Sequence, residues 1–226
     1  MTPEPGNREK LADGIARALE AEIVLGRMRP GQRLGEEELS ERFSATRHHV
    51  RAALTALERT GIVRKERNKG YSVRSFSVAE VEEIYELREI LQRQAALRIA
   101  LPVPPEKLEA LTDLELEYER AVEAGDLRRI HAANDLFHAA MFALCNNARL
   151  AELVGQYMDL SYLIRGNAFE HEHCLVAIRE HRLMLSLLAS RDSWSLAQAC
   201  VDHMQYSKNQ YLSMLSAGRG ETERAA

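Results

Sequence analysis

The chain is poor in cysteine, proline and glycine, and each shortage rules something out. Cys145, Cys174 and Cys200 are its three cysteines, widely spaced among 226 residues, and no two form a C-x-x-C pair. An odd, scattered set excludes a disulfide scaffold and points to a reducing compartment, with the thiols packed as small apolar groups. Six prolines and 12 glycines are too few for an all-β or disordered chain. No apolar run approaches the ~20 residues that span a bilayer. The opening MTPEPGNREK has no apolar signal segment. Together these absences predict a cytoplasmic protein with no membrane partner.

What is present is 46% hydrophobic and 28% charged residues, a globular make-up. The net charge of -4 hides a division. Residues 1–76 hold 15 basic and 11 acidic residues, and the remaining 150 hold 15 and 23. Residues 42–74 are the extreme, with nine basic residues and two acidic ones. A change of sign between chain halves predicts two domains with different partners, over residues 1–76 and 77–226.

The first part follows a recognisable order. Leu11, Ile15, Leu19 and Ile23 step by four and predict one helical face. Gly26 and Pro30-Gly31 interrupt it. GEEELSERF is a short helix with Glu36, Glu37 and Glu38 in its first turn, where the helix dipole favours acids. After the break SAT, Thr46 is placed to cap a helix that buries Val50, Leu54 and Leu57 and ends at Gly61. IVRKERNKGYSV then reads as a basic β-hairpin. Helix, short helix, tight turn, helix and hairpin form the plan of a winged helix-turn-helix, whose second motif helix enters the major groove by its leading end. Arg47 and Arg51 lie one turn apart opposite Val50 and Leu54, His48 flanks them, and no acid follows until Glu58. Arginine pairs bidentately with guanine or holds phosphate. Lys65, Arg67 and Lys69 on the hairpin add phosphate contacts.

From residue 79 the pattern is helical throughout. Six helices are predicted, over about 79–100, 105–124, 127–145, 148–164, 170–190 and 193–215, giving a mostly α protein whose second domain is an all-α antiparallel bundle. The tail SAGRGETERAA is expected to be disordered. Polar residues interrupt the apolar stripes. Asn134 lies in the stripe of Ile130, Phe137 and Met141, with His138 at its edge. His181 lies among Cys174, Ile178, Leu185 and Leu188, and His203 among Leu196, Ala199, Cys200 and Met214. His181 and His203 stand about equally far from the turn near residues 191 and 192, so in an antiparallel pair they come level. Imidazoles with an amide or carboxylate suit zinc first, with nickel or manganese as alternatives. Asp135 is the alternative acid, because His131, Asp135 and His138 share another, more exposed face. Arg88 sits mid-stripe among Val81, Ile84, Leu91 and Ala95, flanked by Tyr85 and Gln92. A buried guanidinium needs an anion, either a side chain or a ligand carboxylate. Arg165 is a second, weaker candidate for such a carboxylate.

Those stretches resemble the GntR transcription regulators with an all-helical FCD effector domain. MRPGQRLGEEELSERFSATRHHVRAALTALERTGIVRKERNKGYSV is similar to the family's DNA-binding signature, and YELREILQRQAALRIA, NDLFHAAMF, REHRLMLSLL and CVDHM to its effector domain. The resemblance implies DNA contacts from Arg47 and Arg51, with Gly70 letting the wing tip approach the minor groove. It puts metal ligands at Asn134, His138, His181 and His203, and the effector-domain arginine at Arg88. It further implies a homodimer on a palindromic operator, repressing until a small organic acid binds. The chain departs from the pattern at His48-His49, where members often have Thr-Pro, and at Glu37, where some carry an arginine that contacts DNA. Asn134 replaces a common aspartate and so brings one negative charge fewer to a cation. A metal-dependent hydrolase would need a general base by the metal, and Asp135 is expected to point outward, so no enzyme is predicted. The alternative is a metal-independent DNA-binding regulator with a purely structural bundle.

Overall fold

The structure, a computed structural model, describes the backbone of residues 5–67, 69–165 and 171–224, with side chains for 10–67, 69–161, 164 and 171–213. The chain divides into two compact units, Met1–Phe76 and Ser77–Ala226.

In the first unit, α1 (Pro5–Val24) packs against α3 (Arg47–Arg59), with α2 (Glu36–Arg42) against α3. Ile15, Leu19 and Ile23 are buried, but Leu11 is exposed and Ala12 takes its place. A four-residue step overshoots a full turn by about 40°, so three such steps carry Leu11 off the buried stripe. Thr46 caps α3, its hydroxyl accepting from the His49 amide. Val50, Ala53, Leu54 and Leu57 form the buried face of α3. The hairpin is β2 (Val63–Glu66) and β3 (Gly70–Val73), and a short strand absent from the sequence reading, β1 (Arg33–Leu34), pairs with β3. The sheet order is β1-β3-β2, all antiparallel, with Leu34 opposite Tyr71 and Val63 opposite Val73.

The second unit is a bundle of α4 (Val78–Leu97), α5 (Pro105–Glu123), α6 (Leu127–Ala143), α7 (Ala148–Arg165), α8 (His171–Leu188) and α9 (Ser193–Arg224). Ser77 and Glu80 close a reciprocal capping box on α4, and Asp126 caps α6 by accepting from the amides of Arg128 and Arg129. Helix α4 packs on α9 and α7, α5 on α6 and α8, and α8 on α9. Phe137, Met141, Met184, Leu188 and Leu196 sit at the centre of one apolar cluster, each fully buried. Tyr118, Ile130 and Cys174 belong to a second. The tail expected to be disordered is instead helical as far as Arg224. Alanine, arginine and glutamate favour helix there, and no proline stops it.

Candidate functional site

The outer face of α3 carries the first candidate surface. Its first turn holds no acid, and Thr46, Arg47, His48 and Arg51 are all exposed. His48, Arg51, Ala52, Thr55, Ala56 and Arg59 line a shallow groove floored by the small alanines. The expectation that this leading end is clear of carboxylates needs correction, because α2 supplies them. Arg47 Nη2 donates to Glu37 Oε1 at 2.7 Å. Arg51 grips Glu36 with two bonds, Nε to Oε1 at 3.0 Å and Nη2 to Oε2 at 2.6 Å. The hydrogen bond from Arg51 holds the Glu36 carboxyl below its ordinary value. On the wing, Lys65, Arg67 and Lys69 are exposed. The Lys65 ammonium lies 5.4 Å from the centre of the Tyr71 ring, and Lys69 pairs with Glu66 at 3.3 Å. Arg33 Nη2 donates to the Lys69 carbonyl at 2.8 Å, fastening the tip to β1. Gly70 has φ 85°, a left-handed backbone that glycine adopts without a Cβ clash.

Inside the bundle, His138 of α6, His181 of α8 and His203 of α9 meet. One nitrogen from each lies within 4.8 Å of the others. Ring centroids stand 4.9 Å apart for His138 and His181, 4.9 Å for His138 and His203, and 4.8 Å for His181 and His203. The Nε2 atoms of His138 and His203 are 3.1 Å apart. Two nitrogens bound tetrahedrally to one ion at ~2.1 Å would stand about 3.4 Å apart. His181 and His138 are buried and His203 nearly so.

Two carboxylates orient these rings, and the sequence reading missed both. His181 Nδ1 lies 2.6 Å from Glu115 Oε2 of α5, in a pair buried from solvent. His203 Nδ1 lies 2.7 Å from Glu180 Oε2 of α8. An ionised carboxylate on Nδ1, the form a bound cation would favour, sets the tautomer that leaves Nε2 as a lone-pair donor, the support that metal-bound histidines commonly have. The buried Nε2 of His181 has no hydrogen-bond partner among the described residues. Burial pushes the Glu115 carboxyl up to about 8, with Glu119 adding to the effect and Arg182 opposing it. Burial also pulls the His181 imidazole down to about 3. Glu115 was legible in principle, since it falls in the stripe of Leu111, Tyr118 and Val122.

Asn134 is buried one turn before His138, and its Nδ2 donates to Asp135 Oδ1 at 3.4 Å. Asp135 is half-buried. His131 is buried, not exposed as its face was expected to be, and it is not one of the three clustered rings. Arg88 is buried, donates from Nη1 to Ser161 Oγ at 2.9 Å, and holds its guanidinium 5.0 Å from the Tyr85 ring centre. Arg88 and Gln92 line a small cavity together with His138 and His203. Tyr85 lies against Arg88 rather than in the cavity wall. The side chain of Arg165 lies outside the described residues, as does that of Met214.

A basic face on a winged helix-turn-helix, followed by an all-helical unit, defines the class of DNA-binding regulators. Residues 11–73 match the gntR family of bacterial regulatory proteins, and residues 83–206 match the FCD domain. The chain therefore belongs to the gntR family, in the branch with an FCD domain. It is similar to the HTH-type transcriptional regulator YdhC of Bacillus subtilis, 26% identical with 87% of this chain and 89% of that one covered. It is also similar to the Nta operon transcriptional regulator of Aminobacter aminovorans, 26% identical over 83% of this chain and 88% of that one. Among solved structures, a GntR regulator from Rhodococcus sp. RHA1 shares the fold with a TM-score of 0.71 at 22% identity, covering 89% of this chain and 97% of its own. E. coli McbR/YncC shares it with a TM-score of 0.66 at 22% identity, covering 92% and 98%. The protein is a DNA-binding transcription regulator and not an enzyme. No helix among the described residues is long and apolar enough to cross a membrane.

Proposed function

We propose that the protein is a homodimeric repressor whose operator binding is relieved by a small carboxylate held at a divalent-metal site in the helical unit. The observation that carries this reading is the convergence of three imidazoles, two of them braced by carboxylates on Nδ1. His138, His181 and His203 would hold the ion, with Asn134 as fourth ligand through its carbonyl oxygen; zinc suits this set first, nickel or manganese next. Bound there, the ion would offer an open coordination position to a carboxylate. Arg88, in the same cavity wall as His138 and His203, would hold the acid's charge from the other side.

Arg47 and Arg51 would leave Glu37 and Glu36 for guanine edges or phosphates, with His48 and Thr46 beside them and Lys65, Arg67 and Lys69 on the flanking backbone. A dimer would set two such helices about 34 Å apart on a palindrome. Leu87 and Ile90, exposed on α4, support a partner face. The sense of regulation draws on E. coli RspR, a transcriptional repressor 24% identical over 84% of this chain. To induce, the acid must favour the bundle arrangement that misplaces the recognition helices.

Footprinting on the gene's own upstream region, with and without organic acids and with metal content measured, tests the reading. Protection of a palindrome that an acid abolishes supports it. Metal content unchanged in His181→Ala and His203→Ala would remove the metal from the proposal. A second reading, a metal-independent regulator with a structural bundle, draws on the 3.1 Å contact between His138 and His203, which pairs two of the rings without an ion.

A further inference from the structure

The walls of the histidine cavity differ sharply in chemistry from its polar end at Arg88, His138 and His203. Met141 and Phe142 come from α6, Met158 from α7, Met184 from α8 and Met204 from α9. Four of the chain's seven methionines therefore face one small space. Cys200 adds a further apolar surface, and its thiol is pushed up to about 12 by burial, so it stays uncharged. The uncharged hydrogen-bonding side chains in the wall are Gln92 and Ser207. Arg88 is the one permanent cation among the described residues of the wall.

We infer that the effector is a monocarboxylate with a hydrocarbon tail, not a sugar acid and not a dicarboxylate. This rests on the carboxylate reading proposed above and narrows it. One carboxylate meets Arg88 at the polar end, beside His138 and His203. The remaining atoms of the ligand then meet thioethers and a phenyl ring. A polyhydroxy tail would bury several hydroxyls against a wall whose described residues offer two neutral polar partners, and each hydroxyl left unpaired weakens binding. A second carboxylate would lie among methionines, with no arginine or lysine besides Arg88 among the described residues of the wall. A methylene chain meets no such mismatch. The cavity measures about 10 Å³, room for one water, so a tail needs the methionines to move; methionine is unbranched and polarizable, and four of them can repack around tails of differing length.

Hexanoate, adipate and gluconate have six carbons each and differ in the tail alone, so they separate the possibilities. Titration calorimetry on the zinc-loaded full chain should give hexanoate at least a tenfold lower Kd than either of the others. From propanoate to hexanoate the Kd should fall about threefold to fourfold per methylene. The same ranking should hold in metal-free protein, because the walls set it. Met158→Gln should weaken hexanoate at least fivefold with metal content unchanged. Wild-type hexanoate affinity in that variant overturns the assignment, and if the variant does not fold, the three-acid ranking on the natural chain still decides. Adipate or gluconate binding as tightly as hexanoate overturns the inference and leaves the carboxylate reading standing. No binding by any of the three, with metal bound, overturns both.

Discussion

Replacing Glu115 by glutamine should make the metal-free protein more stable and the metal-bound protein weaker, a pair of opposite effects that a merely structural residue would not give. The Glu115 side chain is 2% exposed, and burial raises its carboxyl to about 8 from an ordinary 4.5. Between those values the folded chain keeps a proton that the unfolded chain has released. Stability from this group therefore falls as pH rises through the window, by about 1.4 kcal/mol per pH unit. Over the whole window the loss is on the order of 3–5 kcal/mol. His181 works in the other direction, because burial lowers it to about 3 from 6.5. Below 6.5 the unfolded chain takes up a proton that folded His181 refuses, so stability falls as pH drops. The metal-free protein should show a plateau between about pH 4.5 and 6.5 with a loss on each side. Glu115→Gln removes the alkaline limb and keeps the acid one. Its amide cannot supply the negative charge that raises imidazole basicity, so zinc affinity should fall about 10–100-fold. Urea unfolding followed by the fluorescence of Trp194, the only tryptophan and part of the helical unit, measures the first effect. Competition with a chelating dye measures the second. A metal-free wild type no less stable at pH 8 than at pH 6 would refute the reasoning, as would unchanged zinc affinity in the variant.

The reading head makes further predictions. Arg47→Ala should lower operator affinity by about 1–3 kcal/mol in fluorescence anisotropy while the circular dichroism spectrum stays unchanged. Glu37→Gln should free Arg47 from its 2.7 Å partner, raise affinity for random duplex and steepen the salt dependence of binding by about one ion. Its melting temperature should not move, since exposed pairs contribute little. Gly70→Ala forces an alanine into φ 85° and should cost about 1–2 kcal/mol in thermal unfolding, with weaker DNA binding if the wing tip takes part.

Much of this architecture was readable because local rules and tertiary packing agree. Thr46 before a stripe of Val50, Leu54 and Leu57 marks α3 at its start and along its face. His181 and His203 were readable as neighbours because a short turn between antiparallel helices converts sequence distance into height. What escaped depends on contacts between elements. Glu115 needs the packing of α5 on α8 before it can meet His181, and glutamate in a stripe otherwise reads as a solvated edge. Glu36 and Glu37 are explained locally by the helix dipole, which hides their reach to the arginines of α3. Strand β1 is two residues long, too short to show any alternation. The bond from Arg88 Nη1 to the hydroxyl of Ser161 joins α4 to α7, and no local pattern announces it.

The bond pair between Arg51 and Glu36 bears on how a regulator finds one address in a chromosome. Each wrong stretch of duplex must compete with a carboxylate already in hand, not with bulk water. If Arg51 is the DNA contact proposed above, random sequence would hold the protein briefly, and a site that offers the guanidinium a better match would detain it. With on the order of a million competing positions in a bacterial genome, shortening each failed stop shortens the whole search.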